Sequence, residues 1–361
     1  MSPEPAISDL LRALDDPTRL RLLRLLARME LAVGELAEVL DQSQPRISRH
    51  IRILTEARLV EKRKEGSWVF LKARLGAGPP CSRDSMAQAV GALLVAAERE
   101  DAAFAQCCEA DRSRLAAVRE TREAEAARYF ARHAPEWDRL RSLHIADEPV
   151  EAELSRLLGV ELGGAGAGTA DRVAGNAERD TPLGRLLDIG TGTGRMAELF
   201  APAATHVAAI DKSPEMLRLA RARLQHLPPA RLTLVQGDFA ALPFADGAFD
   251  TVLFHQVLHY APAPEAALAE AARVTHAGGR IAIVDFAAHT HEELRATHAH
   301  ERLGFDDAQM TALLENAGFA MGEDAALAGS RLTVRIWTGT RRSTVHRLPE
   351  PQRPTRKAAR S

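Results

Sequence analysis

A chain of 361 residues is long enough for two domains and a connector, each with its own hydrophobic core. Apolar residues make up 46% of the chain and charged residues 27%, and the formal net charge is only -2, so any affinity for nucleic acid must come from a local basic patch. No apolar run approaches the roughly 20 residues that span a bilayer, no signal peptide is recognised, and three cysteines make no even disulfide framework, so we expect a cytoplasmic protein.

Composition and periodicity divide the chain into four predicted segments. Residues 1–75 are rich in helical patterns and end in a short β pattern, and residues 76–124 are expected to form a helical connector and dimerisation segment. Residues 125–340 form a second domain, in which the Gly/Ala-rich stretch 160–182 has too little apolar side chain to pack and is expected to be a loose loop. Residues 341–361 are basic and contain proline, as is typical of a disordered tail.

The first segment has the pattern of a winged helix-turn-helix. Asp16 is a good N-cap and Pro17 suits a first helical position, so the leucine-rich stretch 10–28 is expected to break there into two helices. A short helix over 33–40, a polar turn and a further helix over 44–58 follow. Two strands around a glycine turn come next and form the wing. In such a domain the helix after the turn enters the DNA major groove.

Basic charge is concentrated where this arrangement would meet DNA. Between Ser43 and Lys64 the arginines and lysines far outnumber Glu56 and Glu61, and phosphate contacts supply much of DNA affinity. The alternative is a solvated basic helix beside a hairpin. The residues expected to contact a double-stranded operator are Ser43, Gln44, Arg46, Ser48, Arg49, His50, Arg52, Lys62, Arg63 and Lys64.

These residues resemble the ArsR/SmtB family of transcription regulators across residues 8–73. The resemblance rests on the segments 14–23, 35–40, 43–51 and 54–60. It implies a homodimer on a palindromic operator, usually a repressor that an effector releases. Many arsenite sensors of the family have paired cysteines at the start of the helix that corresponds to 33–40 here. Residues 31–36 contain no cysteine, so we expect no soft-metal site there.

The second domain begins with an apolar strand that runs into a glycine turn. Alternating apolar runs and helical patterns from Arg185 onward predict βαβ units around a mainly parallel sheet, a Rossmann-like α/β fold. The turn has glycines at 190, 192 and 194, whereas a dinucleotide fingerprint needs its third glycine at 195, which is arginine. A second strand ends at Asp211, where an acid can accept hydrogen bonds from ribose hydroxyls. The spacing of the three glycines in the turn therefore disfavours NAD as the ligand.

Together with Asp238-Phe239 and the strand after Asp250, these features resemble class I S-adenosylmethionine-dependent methyltransferases over roughly residues 125–338. The likeness is to the branch that includes ubiquinone and menaquinone biosynthesis enzymes. It implies that S-adenosylmethionine or S-adenosylhomocysteine is bound. The residues carried over are Gly190, Gly192 and Gly194 along the methionine part, Asp211 at the ribose, Asp238 and Phe239 at the adenine, and Asp188 ordering the turn.

Methyl transfer from a sulfonium needs positioning above all, and a general base only where the nucleophile carries a proton. Candidates follow the fourth and fifth strands, since open α/β sheets bind ligands at the carboxyl ends of their strands. Alternatively, His259 caps a helix and Asp285 fixes a loop. The catalytic candidates are His255, His259 and Asp285, with Gln256, Tyr260 and His289 nearby.

Two further clusters have competing interpretations. His289, His291, His298 and His300 could ligate a metal, but His298 and His300 diverge on a helix, and a polar helical lid over an acceptor pocket is the alternative. Cys107-Cys108 could catch a thiophilic metal, or one thiol could simply be buried. We predict no metal site.

Two functions fit this multidomain chain. In the first, the protein is a dimeric transcription regulator in which bound S-adenosylmethionine or S-adenosylhomocysteine reports methyl-donor status to the operator-binding domain. In the second, it is a working methyltransferase on a small molecule, a quinol-like ring or a metalloid, whose DNA-binding domain controls its own operon. Neither hypothesis requires a membrane.

Overall fold

The computed structural model describes residues 7–65, 68–75, 85–141, 145–161 and 181–343. The glycine turn of the wing, most of the loop expected at 160–182 and most of the tail expected at 341–361 lie outside the described residues. No helix among the described residues is long and apolar enough to cross a membrane.

The amino-terminal elements form a winged helix-turn-helix, as expected. Asp16 caps the second helix, because its carboxylate accepts the backbone N–H groups of Thr18 at 2.8 Å and Arg19 at 3.1 Å. The three strands form an antiparallel sheet in the order β1-β3-β2. The elements are α1 Ile7–Leu14, α2 Pro17–Leu26, β1 Leu31–Ala32, α3 Val33–Val39, α4 Gln44–Glu56, β2 Val60–Glu65 and β3 Trp68–Ala73. We call them the winged domain.

Two helices, α5 Ser85–Glu100 and α6 Ala102–His133, form the connector. The chain breaks between them at Asp101, whose side chain caps α6. The first half of α6 packs on the winged domain, where Asp111 accepts a hydrogen bond of 2.7 Å from Arg21. Leu94 of α5 and Leu115 of α6 belong to the same hydrophobic core as the winged domain.

The carboxy-terminal elements form a Rossmann-like domain with a seven-stranded sheet in the order β6-β5-β4-β7-β8-β10-β9. The pairs among β4 to β8 are parallel, and β10 pairs antiparallel with β8 and β9. The fold class expected from the sequence is therefore confirmed. The elements are α7 Trp137–Arg141, α8 Asp147–Leu158, β4 Gly184–Ile189, α9 Arg195–Phe200, β5 Ala204–Asp211, α10 Pro214–Arg223, β6 Leu232–Gln236, β7 Phe249–His255, α11 Pro264–Val274, β8 Thr275–Phe286, α12 Glu293–His298, α13 Asp307–Ala317, β9 Phe319–Ala328 and β10 Thr333–Arg341.

The sheet separates two hydrophobic cores. Phe200 and Ile336 lie in the core on one face, and Phe254 and Trp337 lie in the core on the other. In the sheet order, the chain moves to one side of β4 with β5 and to the other side with β7. Such a switch leaves a crevice at the carboxyl ends of the strands, which is where open α/β sheets bind ligands.

Candidate functional site

The turn after β4 depends on glycine. Gly190 has φ +67°, and a Cβ built on it would lie 2.3 Å from a methyl carbon of Val257. Gly192 has φ +55°, and its Cβ would lie 3.4 Å from the indole nitrogen of Trp137. No other residue type satisfies both requirements at Gly190, because side chains disfavour this backbone region and Val257 leaves no space.

Two buried carboxylates hold this turn. Asp188 accepts a hydrogen bond of 2.6 Å from the hydroxyl of Thr191, and burial raises the pKa of Asp188 to about 6. Asp211, at the end of β5, accepts the backbone N–H groups of Gly192 at 2.8 Å and Ser213 at 2.9 Å. Burial raises the pKa of Asp211 too, although these N–H groups oppose the shift. The ends of β4 and β5 are thereby fixed to one another.

The segment after the connector clamps the same turn. Thr193, within the glycine turn, donates a hydrogen bond of 2.7 Å to Asp138 of α7 and accepts one of 2.7 Å from Arg223 of α10. Arg223 also donates to the second oxygen of Asp138 at 2.5 Å. The glycine turn is therefore held from β5, α7 and α10 at once.

A cavity of about 350 Å³ opens at the carboxyl ends of the strands. Nine of the residues singled out from the sequence line it, namely Asp188, Gly190, Gly192, Asp211, Asp238, Phe239, His255, Gln256 and Tyr260. Asp238 is held by a hydrogen bond of 3.1 Å from the ammonium of Lys212 and one of 2.8 Å from the N–H of Ala240. Gly194 does not line the cavity; it is the N-cap of α9, where its φ of 85° ends the glycine turn.

The other two catalytic candidates lie behind the cavity wall. Nδ1 of His259 and Oδ1 of Asp285 are 2.7 Å apart, both side chains are almost fully buried, and neither lines the cavity. Asp285 also accepts the backbone N–H groups of His259 and Phe286, so it fixes the loop that follows β7. Tyr260 does line the cavity, and burial raises the pKa of its phenol well above the usual value, which keeps the hydroxyl protonated.

The histidine-rich segment borders the cavity. Ala299 and Glu301 line it, and His300 packs against His259 with ring centroids 4.3 Å apart. His298 shares a hydrogen bond of 2.8 Å with the hydroxyl of Tyr129 on α6. Among the described residues, no group of three or more His, Cys, Asp and Glu side chains is arranged to hold a metal ion. In the cysteine pair, Cys108 is buried and Cys107 is exposed.

The winged domain contributes part of the cavity lining, which could not be predicted from the sequence. Met29, Glu30, Glu35 and Phe70 line the cavity together with the glycine turn and Phe130 of α6. No local pattern marks these positions, because they face the cavity only once the two domains pack together. An aromatic in a wing or an acid after a helix is otherwise ordinary surface composition.

The structure separates the predicted DNA contacts into two groups. Ser43, Gln44, Arg46, Ser48, Arg49, Arg52, Lys62 and Lys64 are exposed. His50 is buried, with its Nδ1 3.8 Å from a carboxylate oxygen of Asp16, and burial lowers its pKa. Arg63 is half-buried and hydrogen bonds to Glu30 at 2.9 Å. Both side chains therefore face the protein in this structure.

Comparisons with known proteins agree with the division of the chain into a winged domain and a Rossmann-like domain. Residues 16–62 match the model of the bacterial regulatory protein arsR family, and residues 187–283 match that of a methyltransferase domain. The chain therefore joins an ArsR-family helix-turn-helix to a methyltransferase domain.

Curated relatives match the second half. A demethylmenaquinone methyltransferase of Renibacterium salmoninarum is 35% identical over 127 residues, which are 35% of this chain and 52% of that protein. One of Thermobifida fusca is 40% identical over 101 residues, 28% of this chain and 43% of that protein. The chain spans about half the length of the curated relatives it matches. A solved S-adenosylmethionine-dependent methyltransferase of Methanosarcina mazei, 19% identical, covers 44% of this chain and 92% of its own, with a TM-score of 0.38.

The site fits S-adenosylmethionine or S-adenosylhomocysteine. A glycine cradle that a Cβ would fill, an acid ending β5 and a second acid with an aromatic neighbour after β6 supply the acceptors and close backbone approach that such a ligand needs.

Proposed function

We propose that the protein is a DNA-binding transcription regulator in which S-adenosylmethionine or S-adenosylhomocysteine, bound by the methyltransferase domain, changes the affinity for a DNA operator. The observation that carries the proposal is the lining of the cavity. Asp211 and Asp238 of the methyltransferase domain line it together with Glu30 and Phe70 of the winged domain. A ligand that contacts both domains favours one arrangement of them over others, as linkage requires.

The connector supports this coupling. Its helix α6 is 32 residues long, and its first half is held to α2 through Arg21 and Asp111. Its second half lines the cavity with Ala126 and Phe130. One continuous helix therefore contacts both the winged domain and the ligand site, so a ligand that moves its second half also acts on α2.

In this proposal the described residues hold the cofactor as follows. Asp211 accepts from the ribose, Asp238 and Phe239 take the adenine, and the backbone at Gly190 and Gly192 lies along the methionine part. When bound, S-adenosylmethionine supplies an electrophilic methyl group on a sulfonium. Phe130 and Tyr260, whose rings lie 5.0 Å apart edge to face, both line the cavity and would exclude water from it.

The exposed basic face of α4 supports the operator contacts. Arg46, Arg49 and Arg52 point away from the core, and Lys62 and Lys64 are exposed on the wing. Several arginines and lysines on one face provide the phosphate contacts that dominate DNA affinity. We place the base-reading residues at the start of α4, among Ser43, Gln44, Ser48 and Arg49.

A homodimer is proposed from the exposed apolar side chains of α1 and α5. Ile7 is 60% exposed and Leu11 59%, and on α5 Leu93 is 59% exposed and Val95 38%. These are the large exposed hydrophobic side chains found among the described residues; two lie on α1 of the winged domain and two on α5 of the connector. A second copy that covers them would bury this surface and present two α4 helices to a palindromic operator.

A second function, methyl transfer to a small molecule, is favoured by His255. This imidazole ends β7 and lines the cavity, where it could take a proton from an acceptor. His259 and Asp285 would act as positioning residues, since they hold the loop that carries Tyr260. Turnover of methyl groups in the presence of an acceptor would show this activity, and it is compatible with regulation.

The test of regulation is operator binding by the full chain. A duplex selected by the protein from a random-sequence pool is labelled, and fluorescence anisotropy is measured with and without each ligand. We expect one ligand to shift the Kd by about tenfold, which is about 1.4 kcal/mol of coupling. If both ligands bind the protein and neither changes the Kd, the regulatory proposal is wrong.

A further inference from the structure

Four side chains form one cluster of contacts between the winged domain and the methyltransferase domain. Glu30 follows α2, Arg63 and Phe70 lie on the wing, and Arg302 lies between α12 and α13. Glu30 accepts from Arg63 at 2.9 Å and 3.1 Å, and from Arg302 at 3.2 Å. We call these four residues the junction.

Phe70 lies at the centre of this cluster. The guanidinium carbon of Arg63 is 4.8 Å from the centroid of its ring, and that of Arg302 is 5.8 Å away. Arginine stacks on aromatic faces in this way, so the ring orders both guanidinium groups around one carboxylate. At this cluster the wing and the methyltransferase domain therefore share the Glu30 carboxylate and the Phe70 ring.

The junction is shielded from water. The side chain of Glu30 is 13% exposed and that of Arg302 only 4%. Burial alone would raise the pKa of Glu30, but the hydrogen bonds and charges of Arg63 and Arg302 outweigh it and hold the pKa below its usual value. Removing one partner from a buried ion pair leaves a charge uncompensated, so the domains either keep this contact or separate and rehydrate all three groups.

The junction also forms part of the cavity wall. Glu30, Phe70 and Arg302 line the cavity, whereas Arg63 does not. On the wing, successive side chains of β2 point to opposite faces, so Lys62 and Lys64 are exposed while Arg63 faces Glu30. Arg63 therefore contacts two residues that line the cavity, Glu30 and Phe70, and is adjacent in sequence to the proposed phosphate contacts Lys62 and Lys64.

We infer that the junction transmits the occupancy of the cavity to the wing, and that Arg63 is a coupling residue and not a phosphate contact. This inference rests on the proposed regulatory function. A ligand that contacts Glu30, Phe70 or Arg302 changes the carboxylate and ring that hold Arg63. Because Arg63 belongs to the same strand as Lys62 and Lys64, the wing changes its position with it.

The test compares Arg63→Gln with Lys62→Gln in the full chain. For each protein, anisotropy gives the operator Kd at several salt concentrations, with and without S-adenosylhomocysteine, and calorimetry gives the ligand Kd. We expect Arg63→Gln to keep the ligand Kd and the salt slope, and to reduce the ligand-induced change in operator Kd from about tenfold to less than about twofold. Lys62→Gln should lower the salt slope by about 0.9 per phosphate contact and keep the ligand-induced change.

The possible outcomes separate the inference from the function it rests on. An Arg63→Gln protein that loses salt slope and keeps its ligand response has lost a phosphate contact, which overturns the inference alone. Unchanged salt slope together with an unchanged ligand response overturns it as well. A wild-type protein whose operator Kd ignores the ligand overturns the regulatory function, and the inference with it.

A double-mutant cycle on Glu30 and Arg63 provides a second, independent test of the inference. If Glu30 and Arg63 act as one pair, adding Glu30→Gln to Arg63→Gln causes little further loss of the ligand response. Ligand binding measured on each variant shows that the cavity is still folded. Additive losses from the two substitutions would contradict a shared pathway through the junction.

Discussion

Asp188 should make the folded protein less stable as the pH rises, because the fold buries its carboxyl group completely. Burial raises its pKa from 3.8 in the unfolded chain to about 6 in the folded protein. Between these two values the folded protein binds more protons than the unfolded chain, so the free energy of unfolding falls as the pH rises. A shift of about two units corresponds to a loss of about 3 kcal/mol, complete above about pH 6.

The substitution Asp188→Asn removes this ionisation and keeps the shape. Asp188 accepts from the hydroxyl of Thr191 and from the backbone N–H of Ala197. An asparagine can accept from Ala197 and donate to the same hydroxyl, because a threonine O–H rotates to suit its partner. We therefore expect the variant to be more stable than the wild type near neutral pH, by as much as about 3 kcal/mol.

Urea denaturation of both proteins, at about pH 4 and about pH 7, measures this difference. The advantage of the variant should be small at the lower pH, where Asp188 is protonated in the folded protein, and should grow towards neutrality. Equal differences at both pH values would refute the assignment of the slope to Asp188.

Three further predictions concern the glycine turn, the acceptor side of the cavity and the dimer. Gly190→Ala should cost about 2–5 kcal/mol of stability and abolish ligand binding, because it adds a clash with Val257 to a strained backbone, and denaturation with calorimetry checks both. His255→Gln should slow any methyl transfer about 100-fold or more in steady-state kinetics, with the ligand Kd unchanged. Leu93→Glu should shift the protein towards monomer in sedimentation and weaken operator binding, because it places a charge in the proposed dimer contact.

The glycine prediction has a matched comparison, and each of the three has an outcome that would contradict it. Gly159 has the same φ of +67° as Gly190, but nothing lies within 4 Å of a Cβ built there, so Gly159→Ala isolates the backbone strain and should keep ligand binding. Equal effects of the two alanine variants would contradict the role of Val257. An unchanged methyl-transfer rate excludes His255 as the base. A Leu93→Glu protein that sediments as the wild type does would place the dimer contact elsewhere.

The sequence predicted those parts of the site that depend on neighbours along the chain. The glycine turn and Asp211 were identifiable because a strand, a turn and an acid at the end of the next strand form a local pattern. The winged domain was predictable for the same reason, since the Asp16 cap, the helix that became α4 and the hairpin follow one another within a short stretch.

The contribution of the winged domain to the cavity lining could not be predicted in this way. Glu30 and Arg302 are far apart in the sequence, and only domain packing brings them to 3.2 Å. For two positions, the sequence pattern does indicate a side chain that faces the protein. His50 falls on the same helical face as Ile47, Ile51 and Leu54, which are buried, and Arg63 alternates with the exposed Lys62 and Lys64. Both were predicted as DNA contacts because they lie in the basic stretch 43–64, whereas the face on which each falls points towards the protein.

The most direct test of the central claim uses the reciprocity of coupled binding. Calorimetry would measure the Kd of S-adenosylmethionine and of S-adenosylhomocysteine for the full chain, with and without a saturating amount of the selected operator duplex. If the cavity and the DNA-binding face are linked, the operator changes the ligand Kd by the same factor as the ligand changes the operator Kd, about tenfold for the effective ligand. Ligand Kd values that are identical with and without DNA would contradict the account.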